Sequence, residues 1–128
     1  MSAFSNYAED AILDHLLRNV ALTSPTTVYL ALYESDPGEN NTGTETAFTG
    51  YARQASSWSA AVDGSTDNSG SISFPANTGA QVTITHAAIF DAVTGGNMLI
   101  KGALTQSKVI ETSDVLSFAA NQLTFTLD

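Results

Sequence analysis

The sequence contains no cysteine. That absence excludes disulfide frameworks, zinc–thiolate sites and thiol nucleophiles together, and it fits any redox compartment. Cations are nearly as scarce: four Lys and Arg stand against thirteen Asp and Glu, for a formal charge of −9. Arg18, Arg53, Lys101 and Lys108 are scattered along the chain. With no basic stripe to neutralise phosphates, nucleic acid is excluded as a partner class. Long apolar runs are missing as well. The longest, Val28 to Tyr33, is far short of the ~20 residues a membrane-spanning helix needs, so no membrane partner is expected. The opening MSAFSNYAED carries acids where a signal peptide carries Lys or Arg, and no secretion signal is expected. Asn40-Asn41-Thr42 fits a glycosylation acceptor but is discounted for want of a secretory route. Neither heptads nor a repeat period of ~20–50 residues occurs, which argues against an elongated shaft.

What is present fits one domain over residues 1–128. A chain of this length buries roughly two-thirds of its unfolded surface and needs no metal or cross-link to fold. Ala8, Ile12 and Leu16 repeat every four residues, with Leu13, Leu17 and Val20 alongside. This period predicts an amphipathic helix over 6–19. Asn6 followed by Glu9 matches a capping box, with Ser5 as the rival cap. Glu9, Asp10 and Asp14 lie toward the positive end of that helix and Arg18 toward the negative end.

From Thr27 onward the texture changes to Thr, Val, Ile and aromatics broken by turn residues, the pattern of a sandwich or barrel. Strands are expected at 27–33, 51–61, 71–74, 81–90, 97–104, 108–111, 115–119 and 123–127. Without βαβ alternation, the fold class is mainly β: an antiparallel β-sandwich of about eight strands with one N-terminal amphipathic helix covering a side or end. Val28, Leu30, Trp58, Ile84, Ile89, Leu99, Leu116, Phe118 and Phe125 are the expected core.

Candidate sites are few. In IFDAVTGGNML (89–99), Asp91, Thr94, Gly95 and Gly96 could line a phosphate or metal site. A phosphate-binding glycine loop feeds a helix, however, and no helical period follows. The stretch therefore reads as a hairpin tip, with Asp91 folding back onto the next amides and a glycine supplying positive φ. In DGSTDNSG (63–70), Asp63, Ser65, Asp67 and Ser69 alternate as in a calcium loop. Asn68 stands where that loop needs glycine and Phe74 where it needs glutamate, so a solvated turn is expected. His15 reads as a helix-surface residue and His86 as facing a half-buried strand surface. No serine occupies a Gly-x-Ser-x-Gly elbow and no nucleophile is spaced for either histidine. The expectation is no catalytic residue, no metal and no cofactor. Tyr51 and Arg53, in GYARQ, share one face at strand spacing. The guanidinium is expected to be held by one of the acids, with a contact to a partner chain as the alternative.

The ordered blocks TVYLALYESDPGENNTGTET, GYARQ, ITHAAIFDAVTGGNMLIKGAL and SDVLSFAANQLTFTLD, together with NYAEDAILDHLLRNV, resemble a family of small tailed-bacteriophage virion proteins usually labelled "phage tail fiber protein". In that family a Val-Ser-Gly-Gly-like stretch more often precedes the YARQ block, where TETAFTG stands here. The resemblance implies a non-enzymatic structural protein of a virion. Because the chain is compact and lacks a fibrous repeat, it is read as a capsid decoration (cement) type on the outer capsid surface. The implied partners are the major capsid protein and copies of itself, as a homotrimer. A tail or tail-fibre component acting in host attachment is the alternative, and a carbohydrate-binding β-sandwich the third reading. The arm Met1, Ser2, Ala3 and Phe4, with Tyr51, Arg53 and the long loop 34–50, is expected to supply contacts to neighbours. Deleting residues 1–4 is expected to leave the isolated fold intact.

Overall fold

The computed structural model describes residues 2–127. In chain order it contains β1 (Ser2–Phe4), α1 (Asn6–Leu17), β2 (Val28–Tyr33), β3 (Gln54–Ser56), β4 (Ser65–Asp67), β5 (Ile72–Ser73), β6 (Val82–Phe90), β7 (Met98–Ile110), β8 (Ser117–Phe118) and β9 (Thr124–Thr126). Five strands form one antiparallel sheet in the order β1-β7-β6-β2-β3, and two short ribbons, β4–β9 and β5–β8, stand apart from it. The chain is therefore mainly β and antiparallel with one helix, as its alternating pattern implies.

Alternation along the strands divides the sheet into two buried faces. On one, Leu30, Leu32, Ile84, Ala87, Ile89 and Ile110 pack against Ile72 and Phe118 of one ribbon, Phe125 of the other, and Phe48 and Phe74 from connecting segments. All nine expected core residues belong to this cluster, with Val28, Trp58, Leu99 and Leu116 at its partly buried margin. Ala31, Tyr33, Ala88, Phe90 and Met98 make a second, smaller cluster. The loop 34–50 lies over this second face, where Asn41 accepts a hydrogen bond from the Tyr33 hydroxyl and Asp36 pairs with Lys101 of β7. Its far end returns to the first face through buried Phe48.

Four elements differ from expectation, each for a local reason. The polar stretch at Thr105-Gln106-Ser107 marks a bulge instead of a break. Ile84 pairs with Lys108 while His86 pairs with Ala103, so β7 carries extra residues yet runs on as one strand. The turn expected over 63–70 shrinks to Asp63-Gly64, with φ of 51° and 77°, closing a two-residue hairpin between Val62 and Ser65. Two successive positive φ values are what a type I′ turn demands, and Asp-Gly meets that demand. The next three residues then form β4. The strand expected at 51–61 contracts to β3, because Tyr51 and Arg53 are drawn off to Glu45. The helix ends at Leu17, two residues early. Asn19 takes the left-handed conformation (φ 57°), and the Arg18 and Val20 amides both return to the Asp14 carbonyl. Ser5, rather than Asn6, is its cap: the hydroxyl accepts from the Ala8 amide and donates to the Met98 carbonyl, fixing the helix to β7.

Two buried asparagines hold the layers in register. Asn68 donates from Nδ2 to the carbonyls of Gly70 and Ala119 and accepts from the Leu123 amide. Asn77 donates to the carbonyls of Ala80 and Ile110 and accepts from the Gly79 amide. Each amide closes its own loop and joins it to a segment far away in sequence.

Candidate functional site

Glu45, Tyr51 and Arg53 form a densely hydrogen-bonded polar cluster. Glu45 bridges to Tyr33 beside the end of β2 and presents its carboxylate inward. Arg53 clamps it with both arms: Nε reaches Oε2 at 2.8 Å and an Nη atom reaches Oε1 at 2.8 Å. Its other Nη atom donates to the carbonyls of Ala92 and Gly95, at 3.0 and 2.8 Å. The guanidinium carbon lies over the Phe90 ring, 3.7 Å from its centroid. Tyr51 donates its hydroxyl to Glu45 at 2.6 Å, accepts from the Leu32 amide, and stacks its ring on Phe74. Tyr51 and Arg53 thus share one side, as expected, and Arg53 is held by an acid within its own chain; that both meet at the same carboxylate is a finding of the structure.

The electrostatics follow from burial and pairing. Burial pushes the Glu45 carboxyl upward, but the hydrogen bonds from Arg53 and Tyr51 outweigh it and hold the group below its ordinary value. The Tyr33 phenol is pushed up to about 12, first by burial and then by the nearby Glu45 charge. Burial, reinforced by the bond to Glu45, raises Tyr51 further still. Both phenols therefore stay protonated donors at any physiological pH. An arginine this fully engaged joins loop 34–50, β3 and the 91–97 connection into one unit. It is built as a clamp.

The 91–97 connection is a hairpin tip, as read from the sequence, but its clasp is longer than expected. Asp91 reaches past the next two amides to Asn97, accepting from its backbone amide at 2.7 Å and its side-chain amide at 3.0 Å. The bond from the Asn97 amide is the main reason the Asp91 carboxyl is held below its ordinary value. Gly96, at φ 71°, packs against this clasp: a Cβ there would lie 2.5 Å from Asp91 Oδ1 and 2.6 Å from the Ala92 methyl. Gly96→Ala is accordingly expected to destabilise the fold by about 1–2 kcal/mol from the left-handed backbone alone, and by more with the clash. A shift of the urea midpoint is the readout. A midpoint unchanged from wild type would show that the clasp tolerates a side chain.

The other sequence candidates fall in separate places. Two of the candidate oxygens of the 63–70 stretch are taken up by β9: Ser65 Oγ meets Thr126 Oγ1 and Asp67 Oδ1 accepts from Thr124 Oγ1. His15 Nδ1 bonds the Val20 carbonyl and His86 Nδ1 the Thr85 hydroxyl, so no carboxylate orients either ring. Among the described residues, no three acidic or histidine side chains converge as metal ligands, and no helix is long and apolar enough to cross a membrane.

Met1 lies outside the described residues. Ser2, Ala3 and Phe4 pair with Gly102, Lys101 and Ile100 as edge strand β1. Ser2 also donates its hydroxyl to the Thr126 carbonyl at 2.7 Å and accepts from the Thr126 amide at 2.9 Å. This corrects the expectation of an arm separable from the fold. The segment is the outermost strand of the sheet and ties it to the β4–β9 ribbon, so deleting residues 1–4 opens the edge of β7 as well as removing any contact.

The feature missed in the sequence is on α1. The apolar stripe was expected to cover the core, yet Ala8 is the one helical residue fully buried. Leu13, Leu16 and Leu17 are 54 %, 70 % and 77 % exposed. The inner face is instead the small one, Ala8, Ala11 and Ile12, lining a groove with Phe4 and Leu99. Composition held the signal: alanines and large leucines fall on different sides of the helix. Period alone does not say which side the body occupies.

The family model described as "Podophage GP4 fiber I protein gp80" matches residues 3–126. The chain belongs to this family. No curated protein matches it. Members of a phage fiber family are structural components of the virion, which agrees with the resemblance carried by the blocks from TVYLALY to LTFTLD. The match spans the helix, both sheet faces and the ribbons, so it covers the whole fold.

Proposed function

We propose that this protein is a non-enzymatic subunit of a tail fibre, acting through contacts with neighbouring virion proteins. The match of nearly the entire chain to a fiber-protein family carries this reading. It favours the tail over the outer capsid surface, where compactness and the lack of repeats had pointed. Those two properties remain, and they suit a block at a fibre's junction better than a length of its shaft. The polar cluster supports a structural role, because the guanidinium and carboxylate that could do chemistry are occupied by one another. The acidic surface limits adhesion to DNA and anionic cell surfaces. Edge strand β1 offers a neighbour an open backbone row for strand addition.

Quantifying the chain against the major capsid protein in purified particles, together with immunogold labelling, tests this proposal. The expected result is a small fraction of the capsid-protein copy number, with label confined to the tail and loss of adsorption when the protein is missing. Label spread over the capsid faces, at a copy number near that of the capsid protein, would return the decoration reading.

A further inference from the structure

We infer that the slot between β7 and β9 receives an extended segment of a different virion protein as an added strand. The inference rests on the proposed role in contacts with neighbouring virion proteins, and it names the site and the chemistry of the partner.

Alternation fixes where the free backbone groups of β9 point. In an antiparallel ribbon, successive residues turn their amide and carbonyl to opposite sides. Leu123 is bonded toward β4: its carbonyl accepts from the Asn68 amide and its amide donates to Asn68 Oδ1. Thr126 turns the other way, where the Ser2 hydroxyl holds both its groups. Thr124, two residues from Thr126 and opposite Asp67 in the register, turns the same way as Thr126. Among the described residues, nothing on that side bonds its amide or carbonyl.

Across the slot, β7 presents a matching row. Its Leu99 carbonyl accepts from the Ser5 amide on the β1 side. Alternation then turns Lys101 and Ala103 to that side as well. β1 answers β7 only at Ile100, Lys101 and Gly102. Past Gly102, no described strand pairs with this edge.

The space between the two rows selects its occupant. It holds about 450 Å³ between residues 102–105 and 123–126, and runs on into about 370 Å³ bounded by Gln106, Lys108 and Gln122. Each row repeats every two residues, about 6.6 Å, and an extended backbone is the ligand with that repeat of donors and acceptors. A saccharide carries hydroxyls but no such row. Ala87, Leu104, Leu123 and Phe125 also line the slot, so the incoming strand turns apolar side chains inward.

Charge marks the far end. Arg18, Arg53 and Lys101 each pair with an acid of the chain, whereas Lys108 has no such partner among the described residues. It lines the end of the groove away from Ser2, and the incoming segment places an Asp or Glu beside it.

Hydrogen exchange resolved to single residues, on the isolated chain and on purified particles, tests this. The Thr124 amide should slow by about tenfold or more in particles, the effect of one new hydrogen bond. A benzoylphenylalanine in place of Thr105 should capture, in particles, a segment of another virion protein that contains an Asp or Glu. Thr124→Pro removes the outward amide without touching a bond to β4, so the isolated variant should keep its circular dichroism spectrum and lose incorporation into particles. Thr124→Val, which loses the same hydroxyl but keeps the amide, should incorporate normally. Unchanged Thr124 exchange in particles would overturn the inference. So would capture of a second copy of this chain, of a saccharide or of nothing, or incorporation of Thr124→Pro at the wild-type level. Immunogold label on the capsid together with a captured strand would overturn the tail location alone, and label on the tail without capture would overturn the slot alone.

Discussion

Arg53→Met is expected to cost about 3–5 kcal/mol of unfolding free energy, a large part of the total for a domain of this size. The loss is large because the methionine stem can fill the space over Phe90 but abandons three acceptors at once: the Glu45 carboxylate and the carbonyls of Ala92 and Gly95. Equilibrium urea unfolding measures it. Adding Glu45→Gln to Arg53→Met should cost less than the sum of the two single losses, since the second change removes the orphaned charge left by the first. Strict additivity would mean the clamp is not a unit.

The same variant has a pH signature. A carboxyl held below its ordinary value in the folded state contributes stability that is complete above that value, here 4.5, and is lost as pH falls through the depressed one. Asp36, bonded by Lys101, and Asp91, bonded by Asn97, are held low too and act in the same sense. Wild type should therefore weaken as the solution is acidified below about pH 4.5. In Arg53→Met, burial acts on Glu45 with only Tyr51 opposing it, so the carboxyl rises. The gap between variant and wild type should narrow from pH 7 toward pH 4. A gap independent of pH would remove Glu45 from this account.

Asn68→Ala is expected to be nearly as damaging, at about 3 kcal/mol or more. The side chain is fully buried, and its amide answers the carbonyls of Gly70 and Ala119 and the Leu123 amide. An alanine leaves those three backbone groups away from water without partners, each worth about 1–3 kcal/mol before relaxation. Asn68→Asp keeps the acceptor for Leu123 but loses both donors, so it should fail as well. If Asn68→Ala unfolds at the wild-type urea concentration, water reaches this site and the asparagine is not a structural joint.

Asn68 also shows where reading the sequence stops. In DGSTDNSG it is one polar residue among eight, and composition assigns all of them to solvent. Its burial depends on the 119–123 segment, some fifty positions later, which local pattern does not contain. β4 was obscured for the same reason, since Ser65–Asp67 becomes a strand only when Thr124–Thr126 arrives beside it. Leu30, Ile84, Ile89, Phe118 and Phe125 were legible because alternation places large apolar residues on a face whatever the partner is. Phe48 and Phe74 sit in connecting segments without alternation, so nothing local marks them as core. For the clamp, Tyr51 and Arg53 could be paired from their spacing. Choosing Glu45 among thirteen acids needed the path of loop 34–50. The helix was the most periodic element in the chain, and its orientation was the least predictable.

The clasp between Ser2 and Thr126 joins positions 124 apart, and Phe125 beside it covers the larger core cluster. A chain emerging from the ribosome can form α1 and pair β2 with β6 and β6 with β7 while synthesis continues. It cannot close the ribbon over them until β9 is free. Until that ribbon closes, the apolar face of the large sheet stays uncovered, so contacts between distant positions decide when the core is complete.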